Sequence, residues 1–426
     1  MINKIAKEIS QYNKLLIWLI IFIMYVSVDT FLFGTSNLSL CTYIYYISYF
    51  SLAIYASLFI MKKVHYFTNL MFVFTIILLF MLMTMASNMD ITGGYFLYIA
   101  VYIISIFIVM RFPLKDFLYA FETIFYYWTC ASLIAYFLFL TFPIIGEILP
   151  SIPNSAGYDF KILIFTNFFH STSSTDDFSI PRNVSIFREP GVYMLYILIA
   201  MMVIIFLRKN INKKRFIIYL ITMFTTFSTA GILLGSCLLL YVAITTKDKK
   251  MKILLLLFFL VFSAFVFAGE SVIYDKIFNK FDEDTSAYES TMARIASITI
   301  PIEILFDNLY LGCGITNFPL QFTNYAIQFY GISLNTSGSS TNFILNTFAV
   351  YGIFIGTIFI LMLYGWCKKI QYKSNSFVSI FLLLILCAAF SNEDVRYSPF
   401  FHILLFYSLA GSNSYYNKNN SINRIR

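Results

Sequence analysis

A chain of 426 residues in which 60% are hydrophobic and only 12% charged cannot surround a soluble core of that size with polar surface. A soluble enzyme is thereby excluded, no nucleic-acid partner is expected, and the class is an all-α polytopic membrane protein. The net charge of +8 resides in lysine and arginine clusters that mark topology, and many of the 49 phenylalanines and 32 tyrosines fall near helix ends, where amphipathic rings favour the interface.

In chain order, apolar runs bounded by charge fall at 15–33, 41–61, 66–87, 94–110, 117–142 and 191–207. Others fall at 216–229, 231–246, 251–268, 341–366, 374–391 and 399–411. The first is long enough to cross a bilayer and is followed by no small-residue cleavage site, so it reads as a retained span rather than a signal peptide. Basic clusters lie around Lys4 to Lys14, Lys62 and Lys63, Arg111 and Lys115, Arg208 to Arg215, Lys247 to Lys252, Lys368 to Lys373, and Lys418 to Arg426. They hold 22 of the 29 basic residues. The remaining seven are Lys161, Arg182, Arg188, Lys276, Lys280, Arg294 and Arg396, and strict alternation places all of them outside.

Between Arg215 and Lys247 both ends are basic, so an even number of crossings is required. Two short helices meeting near Thr229-Ala230-Gly231 satisfy that. The count is about twelve spans with both termini cytoplasmic and the whole chain, 1–426, as one transmembrane domain. Two outer segments are too long to be plain connections, the first at 143–190 and the second at 269–340. The first carries Pro143, Pro150, Pro153 and Pro181 and a polar tract at His170–Ser179. In the second, Ile295–Phe306 has the spacing of an amphipathic helix lying on the membrane surface. No internal repeat is evident, which disfavours a transporter built from duplicated halves.

Five of the six cysteines lie in or beside apolar runs and only Cys313 in an outer loop, so no outer-loop disulfide framework is expected. His65, His170 and His402 are scattered, no zinc or nucleotide-binding motif stands in a plausible context, and neither a metal nor a cofactor is expected. His402 reads as a packed polar residue. Chemistry then falls to charged groups outside. Arg182, Arg188, Arg294 and Arg396 are the outer arginines, and a guanidinium's planar fork suits a phosphate or pyrophosphate oxygen pair. The alternative for each is snorkelling or pairing with a nearby carboxylate, such as Glu393 or Asp394 for Arg396. Glu189, beside Arg188 and before Pro190-Gly191, is the best candidate for a general base; a local ion pair or a helix N-terminal contact is the competing role. Asp29 and Glu122, near the ends of their runs, read as interface residues that reach water.

Three stretches resemble the bacterial O-antigen polymerase (Wzy-type) family, which is related to the O-antigen ligases. Ser185-Ile186-Phe187-Arg188-Glu189-Pro190-Gly191 precedes an apolar helix after the first large outer loop. Arg294 is followed by Leu305-Phe306-Asp307-Asn308-Leu309-Tyr310-Leu311-Gly312-Cys313-Gly314-Ile315-Thr316-Asn317-Phe318. Thr341-Asn342-Phe343-Ile344-Leu345, with Gly352-Ile353 further on, resembles the family's return helix. The likeness covers roughly 180–365 together with the twelve-span plan. Ligases typically have a histidine where this chain has Thr341, so polymerisation is favoured over ligation.

The resemblance implies a glycosyltransferase without metal or cofactor in the bacterial inner (plasma) membrane. It would join undecaprenyl-pyrophosphate-linked oligosaccharide repeat units, one lipid-linked glycan serving as donor and another as acceptor, into O-antigen or capsular polysaccharide. Arg188, Glu189 and Arg294 would act on the reacting groups, while Arg182, Asn317, Asn342 and Arg396 would contact substrate. A chain-length regulator and a flippase are the implied partner proteins. Transfer to another acceptor, as in a ligase, and lipid-linked oligosaccharide flipping are the competing activities.

Overall fold

The computed structural model describes residues 8–35, 39–62, 68–142, 144–153, 159–163, 166–170, 181–208, 211–245, 252, 286–330 and 340–410. Six helices there are long and apolar enough to cross a membrane: α3 (Ser39–Met61), α4 (Thr68–Ser87), α5 (Gly93–Arg111), α6 (Leu114–Thr141), α8 (Pro190–Met202, prolonged by a π-helical turn to Leu207) and α13 (Phe343–Lys369). Three shorter apolar helices accompany them: α1 (Lys14–Tyr25), α10 (Thr229–Thr245) and α14 (Ser376–Phe390). Helices α9 (Lys213–Thr225) and α15 (Pro399–Tyr407) are shorter still or more polar. The run at 251–268 lies, but for residue 252, outside the described residues. The architecture is therefore an all-α, membrane-type bundle, in which helices occupy eleven of the twelve apolar runs but only six have spanning length.

Apolarity on both faces marks these helices as built for lipid. On α3, Tyr45, Tyr49, Ala53, Ala56 and Ile60 recur at helical spacing and are buried, whereas Tyr43, Ile47, Ile54 and Leu58 on the other face are equally apolar and exposed. Helix α8 is buried on every side. With α5 and the wholly buried α15 it forms the centre of the bundle.

Two local departures from regular helix fix where the polar loops meet the bundle. The run 15–33 does not continue as one helix. After α1 the chain turns at Val26–Thr30, where the Thr30 hydroxyl donates to the Ser27 carbonyl at 2.7 Å, and a short helix α2 (Phe31–Gly34) resumes. That turn pairs antiparallel with 186–188: Phe31 N donates to Ile186 O and Arg188 N to Asp29 O, both at 2.9 Å. In α13 the helix is broken at Gly352 (φ 80°, ψ 178°). The carbonyls this frees are taken by a loop, Cys313 N donating to Ala349 O at 2.9 Å and Gly314 N to Val350 O at 3.1 Å.

The first outer segment departs from the all-α expectation. After a short helix α7 (Ile144–Ile148) it forms a four-stranded antiparallel sheet, β1 (Ser151–Pro153), β2 (Asp159–Leu163), β3 (Thr166–His170) and β4 (Arg182–Ser185), in that order. Asp159-Phe160-Lys161-Ile162 alternates polar and apolar as a half-buried strand should. Phe160 stacks on Phe31 with ring centroids 4.4 Å apart, so the sheet sits on α2. In the second outer segment the stretch Ile295–Phe306 is helical, as part of α11 (Ser286–Asp307), which is followed by α12 (Asn317–Tyr330); 269–285 and 331–339 lie outside the described residues, as does most of the His170–Ser179 tract. The paired helices required between Arg215 and Lys247 are present as α9 and α10, turning at Thr226–Ser228.

Candidate functional site

Position 188 is fixed from both directions along the chain. Asn183 in β4 is fully buried. Its side-chain oxygen accepts from Ser132 Oγ of α6 at 2.7 Å, and its Nδ2 donates to Thr225 Oγ1 of α9 at 3.1 Å. Ser185 then adopts a left-handed backbone (φ 52°), and 186–188 pairs with the turn before α2. Glu189 is the N-cap of α8, and Pro190 opens that helix, where its missing N–H costs nothing. Arg188 and Glu189 are thus set on a bend held by α2, α6 and α9.

Facing this bend is the connection 391–398 between α14 and α15. The Arg188 Nη2 donates to the Asp394 carbonyl at 2.6 Å. Glu393 is buried over the first turn of α8, so close to Gly191 that a Cβ there would lie 1.6 Å from Glu393 Oε1. Only glycine at 191 lets this carboxyl approach. Glu393 is also within hydrogen-bonding reach of Glu189. Burial, and then the Glu189 carboxyl, push the Glu393 carboxyl well above the ordinary carboxylate range, with Arg188 and Arg294 pulling the other way. Burial opposes the charge on Arg188, but Glu189, Glu393, Asp29 and Asp394 outweigh it and hold its pKa above the usual guanidinium value. The Arg188 Nε is buried and has no hydrogen-bond partner among the described residues.

Arg294 reaches the same loop from α11. It is exposed, and its Nη1 lies 3.5 Å from Asn392 Oδ1. Arg396 completes the cluster differently: its Nε and Nη2 grip the Asp394 carboxylate at 2.6–2.9 Å, and the guanidinium lies over the Phe318 ring at 5.2 Å. The carboxylate-pairing alternative for Arg396 is therefore the geometry observed. His402, fully buried among the rings of Tyr98, Tyr102, Phe343 and Phe359, bonds through Nε2 to the Arg396 carbonyl at 2.6 Å and fixes the loop from below.

Arg188, Glu189, Arg294 and Arg396 are thus brought together. Arg182 stands further off on β4, where its Nε donates to the Thr226 carbonyl at 3.2 Å. Asn317 opens α12 between Phe318, under Arg396, and Thr316, whose backbone N and hydroxyl donate to Asp90 at 2.9 and 2.6 Å. The Asn342 side chain caps α13, accepting from Leu345 N at 3.0 Å, and is buried.

Two expectations are corrected. Asp29 does not reach water: it is fully buried, accepting hydroxyls from Tyr196 at 2.6 Å and from Ser398, and so ties the Arg188 bend to the 391–398 loop. Glu122 is likewise fully buried, at the opposite end of the bundle, between Arg208 at 2.7 Å and Arg215 at 2.6 Å. Both Glu122 oxygens and Asp29 Oδ2 take donors from distant elements, whereas Asp29 Oδ1 is buried with no hydrogen-bond partner among the described residues. Sequence reasoning also passed over Glu393 except as a partner for Arg396. The available signal was the density of charge in Asn392-Glu393-Asp394-Val395-Arg396, a short link between two apolar helices.

Chemically, the mouth offers an exposed cation, a half-buried cation, an exposed carboxylate and a buried carboxyl whose pKa is raised. That set suits an anionic oxygen cluster beside a hydroxyl that must lose a proton. No family model matches this chain, and no curated protein matches it.

Proposed function

We propose that this chain is a membrane glycosyltransferase that polymerises undecaprenyl-pyrophosphate-linked oligosaccharide repeat units into O-antigen or capsular polysaccharide. In this reading the chain crosses the inner (plasma) membrane twelve times with both termini cytoplasmic, and the Arg188 cluster opens on the outer face. The observation that carries the reading is the convergence of Arg188, Glu189, Arg294 and Glu393, from three separate parts of the chain, at one mouth of an apolar bundle. Charged groups at a bilayer boundary are costly and are kept where they bind or react.

Arg188 and Arg294 grip the pyrophosphate of the donor. The bond from the sugar's anomeric carbon to the phosphate oxygen breaks, and the electron pair leaves with the lipid pyrophosphate, where the guanidiniums stabilise it. The acceptor hydroxyl oxygen forms the new bond to that carbon while its proton passes to the Glu189 carboxylate. Glu393, beside Glu189 and with its pKa raised by burial, keeps that carboxylate oriented. Holding both lipids at one mouth replaces a bimolecular search.

The test is deletion of the gene and size separation of the surface glycans, followed by complementation with wild type and with Arg188→Ala. The expected result is single repeat units on the usual anchor, with polymer restored by wild type only. Loss of one such donor costs about 3 kcal/mol, a rate loss on the order of a hundredfold. Complete polymer left on its lipid carrier would indicate ligation instead, and unchanged glycans in the deletion strain would refute the reading.

A further inference from the structure

A second polar feature lies between α11 and α12, apart from the arginine cluster. Asp307, Asn308, Gln321, Asn324, Tyr325 and Gln328 line a cavity of about 410 Å³, within the usual range of roughly 300–1,000 Å³ for small-ligand sites. Gln321, Asn324, Tyr325 and Gln328 fall three, four and seven residues apart and so share one face of α12, while Phe318, Phe322 and Ala326 on the other face are buried. The two helices run antiparallel, Thr299 and Tyr330 being joined through their hydroxyls at 2.7 Å, and Asn308 Nδ2 donates to Gln321 Oε1 at 3.3 Å. The Tyr325 hydroxyl donates to Asp307.

The composition of this lining selects its ligand. Helix α12 contains no charged residue, although a surface helix ordinarily carries lysine and glutamate. Its polar face consists of amides and a phenol, which both donate and accept, and the cavity's one ion is the carboxylate of Asp307. An apolar ligand would strand these groups. An anionic one would meet Asp307 with no cation in the lining. A ring of hydroxyls, each able to donate and accept, matches the inventory.

We propose that the α11–α12 cavity is a binding subsite for an uncharged pyranose. As the sugar-reading subsite of the polymerase it rests on the function proposed above; as a site for a polyhydroxylated ring it rests on the cavity's own chemistry. Its position agrees with that role. Phe318, one turn before Gln321, lies under Arg396, and α11 leads from Arg294 to Asp307 over about 20 Å. A glycan whose pyrophosphate end is held at the arginines could lay a later sugar here.

Full-length protein in detergent, probed with galactose, N-acetylglucosamine and glucuronate by saturation-transfer NMR, tests it. Wild type and Arg188→Ala should show transfer to at least one neutral sugar and little to glucuronate. Asn324→Ala/Gln328→Ala, both at exposed positions, should lose roughly tenfold in affinity through two missing hydrogen bonds. Gln321→Ala serves as an independent variant, with melting temperature as the folding control. Absence of transfer to both neutral sugars, equal signals in wild type and the folded variants, or glucuronate bound as well as the neutral sugars would overturn the proposal. The two readings fail separately. Surface glycans unchanged by gene deletion, with sugar binding lost in the double variant, sink the polymerase and leave the subsite. Polymer abolished by Arg188→Ala, with no neutral sugar bound to wild type, sinks the subsite alone.

Discussion

Arg188 performs two tasks with one planar group. Its Nη2 ties down the Asp394 carbonyl, and its Nε is left without a partner inside the cluster. An ammonium has three donors clustered on one atom and no planar fork to point in two fixed directions, so Arg188→Lys should insert normally yet reduce polymer nearly as much as Arg188→Ala. Near-normal chain length in the lysine variant would mean that charge alone suffices. Glu393 gives a pH-dependent prediction. Its folded-state pKa is raised, so between the ordinary carboxylate value of about 4 and that raised value the folded protein holds a proton the unfolded chain has released. Stability is therefore full at low pH and declines as pH rises through that window. Glu393→Gln removes the titration, so its melting temperature in detergent, relative to that of wild type, should rise as pH is raised above the ordinary carboxylate value of about 4. A constant difference would contradict a raised Glu393 pKa. At this scale the arginines were legible in the sequence because charge is rare in an apolar chain. Glu393 and Asp29 were not, because their importance lies in contacts with α8 that no spacing along the chain encodes.

The break in α13 shows what a motif does at the scale of elements. Gly352 and Gly312 stand with positive φ on two backbones that touch: a Cβ at 352 would lie 2.2 Å from the Tyr310 carbonyl oxygen, and one at 312 would lie 2.3 Å from that of Val350. The loop after α11 is thereby stitched into the opened helix, with Thr84 of α4 and Asn88 just beyond its end holding the Leu311 and Gly312 carbonyls at 2.7 and 3.1 Å. Gly352→Ala must strain its φ, at about 1–3 kcal/mol, and also push the two backbones apart. The expected result is a large fall in melting temperature or loss of folded protein, whereas Gly93→Ala, with nothing within 4 Å of the new Cβ, should be nearly neutral. Equal behaviour of the two variants would mean the stitch contributes nothing. The sequence made these glycines visible as a pattern and α11 visible as an amphipathic helix. It did not disclose that the helix opens, because Gly352 is one of three glycines in α13 and nothing along the chain sets it apart from Gly356 and Gly365, which stay helical. The sheet at 151–185 escaped for a similar reason: its strands are too short to show much periodicity.

Across the whole molecule, charge is buried at two opposite ends of the bundle. At one, Arg188, Glu393, Asp394 and Arg396 meet beside Asp29. At the other, Glu122 binds Arg208 and Arg215, and Arg215 also pairs with Glu8. Among the described basic residues that suggested topology, Arg208, Arg215 and Lys368 to Lys373 belong to the second end: Tyr372 N bonds to Phe206 O at 2.7 Å, placing Lys368 to Lys373 beside Arg208. The tip between α4 and α5 belongs to the first, since Asp90 is bonded to Thr316, next to Asn317 and Phe318. The positive-inside rule then makes a claim about the site itself: if lysines and arginines mark the cytoplasm, the Arg188 cluster faces outward, where lipid-linked repeat units would be polymerised. In a cysteine-free background, Met89→Cys, 93% exposed at that tip, should react with a membrane-impermeant maleimide in intact cells. Lys373→Cys should react only after the membrane is permeabilised. The reverse pattern would turn the cluster toward the cytoplasm and remove the proposed outer-face chemistry with it, whatever the arginine variants do, because neither arrangement of charges can be inverted without the other.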